Sequence, residues 1–498
     1  MTGGLGMERE FDVVIIGSGA GGGTLAYALG LRGLRVLLVE QGDFVPQEEQ
    51  NRYPDGCIGS RYNPIELREF ADGSRVYRKM FYHVGGQTKF YGAALLRLRE
   101  LDFQQIQFPG GVSPAWPFSY NELEPYYSRA EQIYRVHGTN EGDPSEPFHS
   151  TQYPFPSLPH EPWIQSMINR LIEQGLHPSS LPRAVDFGPG RRCFFCTTCD
   201  GYACPSHGKM DAETACIRPA LVTRNVELLT KAKCHRLITD KSGTRVVSAE
   251  IVREREILHL RAGRFVVACG SINSPALLLR SSNPAHPNGL ANSSGMVGKN
   301  LLCHNVCLLI AGHVFERLPP MHQKTFHIND YYIPANGRTY PLGTIQPAGQ
   351  LQLGSLPIRL VLNRCVGFFI MAEDLPNPNN RVTVTLDGTI RIEYRTNNTR
   401  TLNELRSAAT AIFRRASYKV YSTKVPREGS IMKLSGDGHC VGTLRFGNDP
   451  ATSVLDPFCK THDIDNLYVV DGSFFPSAGA VNPALTIMAQ ALRTADHM

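Results

Sequence analysis

Apolar and polar positions change period along this chain, and each change marks an element. FDVVIIGSGAGGGTLAYALGLRGLRVLLVEQG opens with an apolar, β-branched run at Phe11–Ile16. Glycines follow, then an Ala/Leu-rich stretch of helical period, then a second apolar run ending at Glu40. This order predicts strand, tight turn, helix and strand, a βαβ unit. RFVVACGSINSPALLLRSS (Arg264–Ser282) is another strand running into a small-residue turn and a helix. The C-terminal NLYVVDGSFFPSAGAVNPALTIMAQALRTADHM repeats the design, with a strand at Leu467–Val470 and a helix from about Pro483.

Between these segments the pattern differs. SPAWPFSYNELEPYYSRAEQIYRVHG starts a helix at Ser119-x-x-Glu122, a capping box, with an apolar face through Leu123, Tyr126, Tyr127, Ile133 and Tyr134 that reads as core. From Leu308 to about Glu373, alternating runs such as TFHINDYYI and PIRLVLNRCVGFFIM predict a sheet. NRVTVTLDGTIRIEYR follows as a hairpin closed on Asp387-Gly388. No internal repeat or low-complexity linker separates the parts, so the domains are expected to be discontinuous and interleaved.

Composition narrows the class. At 498 residues and 42% hydrophobic, the chain is long enough for two or more packed domains. Its net charge of +6 is small, with Lys and Arg scattered, which argues against nucleic acid or anionic lipid as a partner. No apolar run reaches the roughly 18 to 20 residues of a membrane span, and MTGGLGMEREFD lacks a signal-peptide core, so a cytoplasmic protein is expected. Thirteen cysteines is an odd count. Cys57, Cys234, Cys269, Cys303, Cys307, Cys365, Cys440 and Cys459 sit singly in apolar or strand-like contexts, as reduced thiols do.

The first βαβ unit carries chemistry. Gly17 permits the tight turn, Gly19 lets backbone approach a pyrophosphate, and Gly22 lets helix and strand pack closely, while the helix N-terminus faces the phosphates. Glu40, at the end of the second strand, is placed to accept both hydroxyls of an adenosine ribose. Dinucleotide binding follows, but the fingerprint alone does not separate NAD from FAD.

Marks along the whole chain separate them. The N-terminal fingerprint, Gly85-Gly86, GSINSPALLL, Val297-Gly298-Lys299-Asn300-Leu301, HCVGTLRFG and NPALT together resemble the glucose-methanol-choline (GMC) oxidoreductases, in particular bacterial sugar and alcohol dehydrogenase-like members with a cysteine-rich loop. The resemblance implies FAD and an α/β fold: a Rossmann-like FAD-binding domain with an interleaved α+β substrate domain built on an antiparallel sheet that roofs the flavin. The expected FAD-binding part is 1–100, 190–307 and 436–498, and the substrate part 101–189 and 308–435, with a cysteine-rich loop at 193–216. Carried over by position, Gly17, Gly19, Gly22 and Glu40 hold the ADP half, and Cys234 falls where backbone meets the adenine. Asp471 and Gly472 match the contact to the diphosphate and ribityl chain, and backbone around Asn482 and Pro483 approaches the flavin ring. One loop departs from the family pattern. GGQTKFYG (Gly85–Gly92) has Tyr91 where an asparagine is usual and Phe90 where some members carry a flavin-linking histidine, which implies non-covalent FAD.

Oxidation of a CH–OH group needs a base for the hydroxyl proton while hydride leaves for flavin N5. The resemblance assigns that role to His439, in GHCVGTLRFG, with Asn482, in VNPALT, as its partner on the substrate oxygen. The other histidines, including His83, His304 and His497, read as structural. The expected reaction is oxidation of a sugar, polyol or related alcohol to a carbonyl, with oxygen, a quinone or a redox protein as acceptor. The alternatives are a hydroxynitrile-lyase-like flavoprotein without net redox and an electron-transfer component.

CFFCTTCDGYACP (Cys193–Pro205) stands apart. Cys193, Cys196, Cys199 and Cys204 are spaced C-x2-C-x2-C-x4-C-P, one residue from the bacterial ferredoxin run. Three readings stand: an iron-sulfur cluster, zinc or disulfides, and a packed thiol-rich loop. Absence of a signal peptide argues against disulfides. The resemblance adds that some sugar-dehydrogenating relatives carry an iron-sulfur cluster near this point, with different spacing. Cys216 reads as a buried helix thiol.

Overall fold

The computed structural model describes residues 11–48, 51, 62, 64–196, 199–312, 324–335, 337–349, 364–434 and 438–498. Cys57 lies outside them.

Five parallel strands form the centre, in the order Val226–Leu229, Val36–Val39, Phe11–Ile16, Ala262–Val267, Leu467–Val469. Their apolar runs are continuous because both faces are covered; Val36 to Val39 are all buried. The helices Ala20–Leu31 and Ala484–His497 pack on this sheet and on each other. Two glycines make the first turn possible. Gly17 has φ +102°, and a Cβ there would lie 2.3 Å from the Ala268 carbonyl oxygen. A Cβ on Gly22 would lie 2.0 Å from the Gly17 oxygen, so helix and strand close only on glycine.

The aromatic helix spans Tyr120–Ile133, capped by the Ser119/Glu122 box. Leu123, Tyr127 and Tyr134 are buried, and Tyr127 Oη lies 2.8 Å from Thr486 Oγ1 on the C-terminal helix. Arg97 is buried beneath it, held by both oxygens of Glu131 at 2.7 Å, by Glu124 at 2.9 Å and by Ser128 at 3.1 Å.

A four-stranded antiparallel sheet runs Thr344–Pro347, Cys365–Ala372, Asn305–Gly312, Lys419–Ser422. One face (Ile345, Val366, Phe368, Ile370, Leu309) packs on the helices Thr399–Arg415 and Pro162–Ile172. The alternation of the strands sends Gln346 and Phe369, cross-strand partners, to the opposite face.

Two expectations change. TFHINDYYI is not a strand of this sheet. Phe326–His327 pairs with Ser179–Ser180 and Asp330–Tyr332 is a 3-10 turn, because Asn329 and Tyr332 spend their polar groups on Asp143, Thr344 and Asp102. The hairpin strands Arg381–Val384 and Ile390–Glu393, expected on the substrate side, extend the Ile65–Phe70/Arg75–Lys79 ribbon instead. Val382, Ile390 and Ile392 share a core with Ile272 and Ala276 of the helix Gly270–Arg280, so the hairpin's apolar face is buried on the nucleotide side.

Candidate functional site

The glycine turn opens onto space. A Cβ on Gly19, the N-cap of the first helix, would meet nothing within 4 Å, while one on Gly86 would come within 3.0 Å of Gly19 Cα. The Gly85-Gly86 loop therefore rests against the turn and leaves the helix N-terminus accessible, the geometry a diphosphate needs. Around it, burial raises the thiol pKa of Cys269, and the nearby Cys234, Asp471 and Glu40 raise it further. Cys269 is thus within electrostatic reach of Cys234, Asp471 and Glu40.

Two carboxylates there are more occupied than expected. Glu40 Oε2 accepts from Ser18 N at 3.1 Å and Ser18 Oγ at 2.6 Å, and Oε1 from Gly42 N at 3.1 Å. With the Gln41 backbone also donating to this carboxylate, Glu40 has less room for ribose hydroxyls than the expected pair requires. Asp471 is saturated: Gly270 N (2.9 Å) and Ser274 Oγ (2.5 Å) donate to Oδ2, and Ser473 N (2.8 Å) and Oγ (2.5 Å) donate to Oδ1. Its carboxylate clamps the Gly270–Arg280 helix to the C-terminal strand, which leaves contacts with a cofactor at this position to the backbone. At Gly472, a Cβ would lie 3.0 Å from the Cys440 carbonyl, which ties this turn to the next feature.

Leu302 and Val441 exchange both backbone hydrogen bonds, at 3.0 and 2.9 Å, so the two chains run antiparallel there. Cys303 and Cys440 become cross-strand neighbours, with their sulfurs 2.8 Å apart, and His304 faces His439. His439 Nδ1 is 2.9 Å from His304 Nδ1, and its Nε2 is 3.3 Å from Asn482 Nδ2. Asn482 Oδ1 accepts from Gln346 Nε2 at 3.0 Å, joining the antiparallel sheet to the pair. Burial, then His304 and Lys324, push the His439 pKa down to about 3. The imidazole is neutral at ordinary pH and has a lone pair to accept a proton. His439 itself sits at φ +62°, a left-handed conformation unusual for a side-chain-bearing residue. Pro483, next to Asn482, caps the C-terminal helix.

His304 and Gln346 were not singled out by sequence as members of this site. His304 follows the VGKNL motif by three residues, a signal that singles it out only once Leu302 is known to pair with Val441.

The cysteine loop lies beside the GGQTKFYG segment. Lys209 Nζ donates to the carbonyls of Lys89 (3.1 Å), Tyr91 (2.9 Å), Cys199 (2.7 Å) and Tyr202 (2.7 Å), and Gly201 N donates to Phe90 O. Asp200 reaches Lys324 at 2.5 Å. Cys193, Cys196, Cys199 and Cys204 line one small cavity, where Arg183 lies 3.2 Å from Cys199 Sγ and Lys209 N lies 3.4 Å from Cys204 Sγ. Burial and the other three thiols push Cys193 up to about 11. Among the described residues, however, no three or more His, Cys, Asp or Glu side chains are arranged to hold a metal ion. The metal expectation at these four positions therefore has no ligand set behind it. Cys216 is a buried thiol 3.3 Å from Tyr134 Oη, away from the loop. Only the end of 193–216 is not loop, since Glu213–Ile217 is already helical. Tyr91 donates to Met210 O at 2.6 Å, and Phe90 packs between Phe81 and His83.

Two family models, both described as GMC oxidoreductase, match residues 11–306 and 376–491. The chain belongs to the GMC oxidoreductases. It is 31% identical to paromamine 6'-oxidase from Streptomyces fradiae, over 98% of this chain and 91% of that one. It is 28% identical to 2-methyl-1,2-propanediol dehydrogenase from Mycolicibacterium austroafricanum, over 98% and 95%. The fold resembles that of pyridoxine 4-oxidase from Mesorbium loti, with a TM-score of 0.69 at 20% identity, covering 98% of this chain and 99% of that one. This GMC oxidoreductase is accordingly an enzyme acting on CH–OH groups of alcohols or sugars, and membership implies FAD. The open glycine turn and the helix N-terminus fit that cofactor. Among the described residues no helix is long and apolar enough to cross a membrane.

Proposed function

We propose that this GMC oxidoreductase oxidises a CH–OH group of a sugar, polyol or related alcohol to a carbonyl, with His439 as the base. The observation that carries the reading is the His439–Asn482 contact of 3.3 Å, made where the antiparallel sheet meets the C-terminal helix. FAD, when bound, supplies the hydride acceptor. The neutral Nε2 of His439 takes the hydroxyl proton, because an alkoxide releases hydride far more readily than an alcohol. Asn482, held at Oδ1 by Gln346, orients the substrate oxygen through Nδ2. Gly17, Gly19, Gly22, Gly85, Gly86 and Gly472 form the backbone cradle, with Glu40 on the ribose side and Cys234 near the adenine. FAD is held without a covalent link, since Phe90 carries no nucleophile, and acid precipitation should release all of it.

A screen of sugars, polyols and simple alcohols with an artificial electron acceptor, run with and without oxygen, tests the reading. Flavin bleaching by at least one alcohol under anaerobic conditions supports it, and flavin that stays oxidised with every class while a cyanohydrin releases cyanide would sink it. Comparing turnover with and without oxygen tells oxidase from dehydrogenase.

The four cysteines share one cavity near Tyr91 without forming a metal-ligand set, so the loop is read as a packed thiol-rich segment. Iron and acid-labile sulfide in anaerobically prepared protein, lost in Cys199→Ser, would overturn that reading.

A further inference from the structure

His304 and His439 are 135 residues apart in the chain, yet two ring nitrogens meet at 2.9 Å. A contact of that length between imidazoles holds one proton, and the direction in which it is donated decides which nitrogen of His439 is left as acceptor.

Taken alone, the pair is ambiguous. If His304 Nδ1–H donates, His439 carries its proton on Nε2 and has no lone pair facing Asn482. If His439 Nδ1–H donates, Nε2 is the acceptor. The other end of His304 removes the ambiguity. Its Nε2 faces the carbonyl oxygen of Ala478 at 3.4 Å, and a carbonyl can only accept. A neutral His304 that donates there has its lone pair on Nδ1, so His439 must donate from Nδ1. The opposite arrangement would set two acceptors, the Ala478 oxygen and a bare Nε2, against each other in a buried site. Both rings are neutral, since burial pushes His304 down to about 4 and His439 lower still.

The rest of the network runs in the same direction. Asn482 presents Nδ2 to His439 Nε2 and Oδ1 to Gln346 Nε2, which agrees with a lone pair on Nε2; the other tautomer would require both amides to be turned over. The anchor is itself held in place. Trp116 Nε1 donates to Ser477 Oγ at 3.0 Å, Gly479 N to Glu373 at 3.1 Å and Ala480 N to Tyr332 Oη at 2.8 Å, so the Ala478 carbonyl has neighbours fixed on both sides.

We propose that His304 is a positioning residue, which reads the Ala478 carbonyl through Nε2 and thereby holds His439 as the Nδ1–H tautomer with its accepting lone pair on Nε2, turned toward Asn482 and the substrate oxygen. The idea rests on the reading of His439 as base, but its central statement concerns a tautomer and is measured without turnover.

The test uses protein labelled with ¹⁵N-histidine, with His439 assigned by loss of its signals in His439→Ala. Nitrogen shifts in the wild type, with FAD bound and after its removal, should show His439 protonated at Nδ1 and bare at Nε2. His304→Leu should move the His439 proton to Nε2 or to a mixture, and slow anaerobic flavin reduction by roughly 10- to 10²-fold at unchanged FAD content, as loss of a correctly held base does. His304→Gln retains one donor and one acceptor, so it should recover the rate to within several-fold and restore the Nδ1–H form. A wild-type His439 protonated at Nε2 overturns the proposal even if the variants misfold. So does a His304→Leu enzyme with unchanged tautomer and rate, or one that Gln fails to rescue. If the tautomer is found as stated but His439→Ala reduces its flavin normally, the positioning holds and the choice of base fails.

Discussion

Asn482 sits 3.3 Å from Nε2 of His439 and accepts at Oδ1 from Gln346, so one amide links the start of the C-terminal helix, the segment carrying His439 and the antiparallel sheet. The relationship separates proton transfer from orientation.

His439→Ala should slow anaerobic flavin reduction by at least ~10²-fold while FAD stays bound, because a positioned base contributes about 10²- to 10⁴-fold. Reoxidation should be unaffected, since the proton leaves substrate in the first half-reaction. Asn482→Ala should cost less, having removed one hydrogen bond and orientation rather than the proton acceptor. Stopped-flow reduction with the best substrate measures both, and equal rates for His439→Ala and wild type would place the base elsewhere.

Gly19→Val should yield folded protein without FAD. Gly19 has φ −70° and ψ −161°, an extended conformation open to valine, and a Cβ there meets no protein atom within 4 Å, so the added side chain would project where the diphosphate is expected at the helix N-terminus. The ratio of flavin to protein absorbance should fall to near zero while the far-UV circular dichroism is kept.

Glu373 gives the fold a pH dependence. Burial, with Asp102 nearby, pushes its pKa from 4.5 up to about 8, and Asp374 and Asp102 are raised to about 7 and about 6 chiefly by burial. A carboxyl raised in the folded state contributes stability that is complete below the unfolded pKa and is lost as pH rises through the folded value. Stability should therefore decline between about pH 4.5 and 8. Glutamine can keep the bonds from Ser113 and Gly479, so Glu373→Gln should match wild type near pH 4.5 and exceed it at pH 8, with an upper bound of roughly 4 to 5 kcal/mol. Thermal unfolding across this range checks it; parallel curves for the two proteins would refute the assignment.

Arg97→Met should destabilise by roughly 3 to 5 kcal/mol, because it leaves Glu131 and Glu124 without their partner beneath the Tyr120–Ile133 helix. Since that helix supports Thr486 on the C-terminal helix, the loss should appear as a lower denaturant midpoint.

What the sequence determined by itself is local or carried by motif. The βαβ turn needs glycine at Gly17 for its positive φ and at Gly22 because a Cβ there would meet the Gly17 oxygen five residues away, the Ser119/Glu122 box closes over one helical turn, and the Asp387-Gly388 hairpin pairs its own flanks. Tertiary structure decided everything that depends on register between distant segments. Pairing Leu302 with Val441 brings His304 to His439, and burial then makes both rings neutral. The saturation of Asp471, the docking of the cysteine loop on Tyr91 and the transfer of the hairpin to the nucleotide side follow the same rule. Each depends on which donors and apolar faces meet across the fold, and a side chain's period along the chain carries no record of its partner across it.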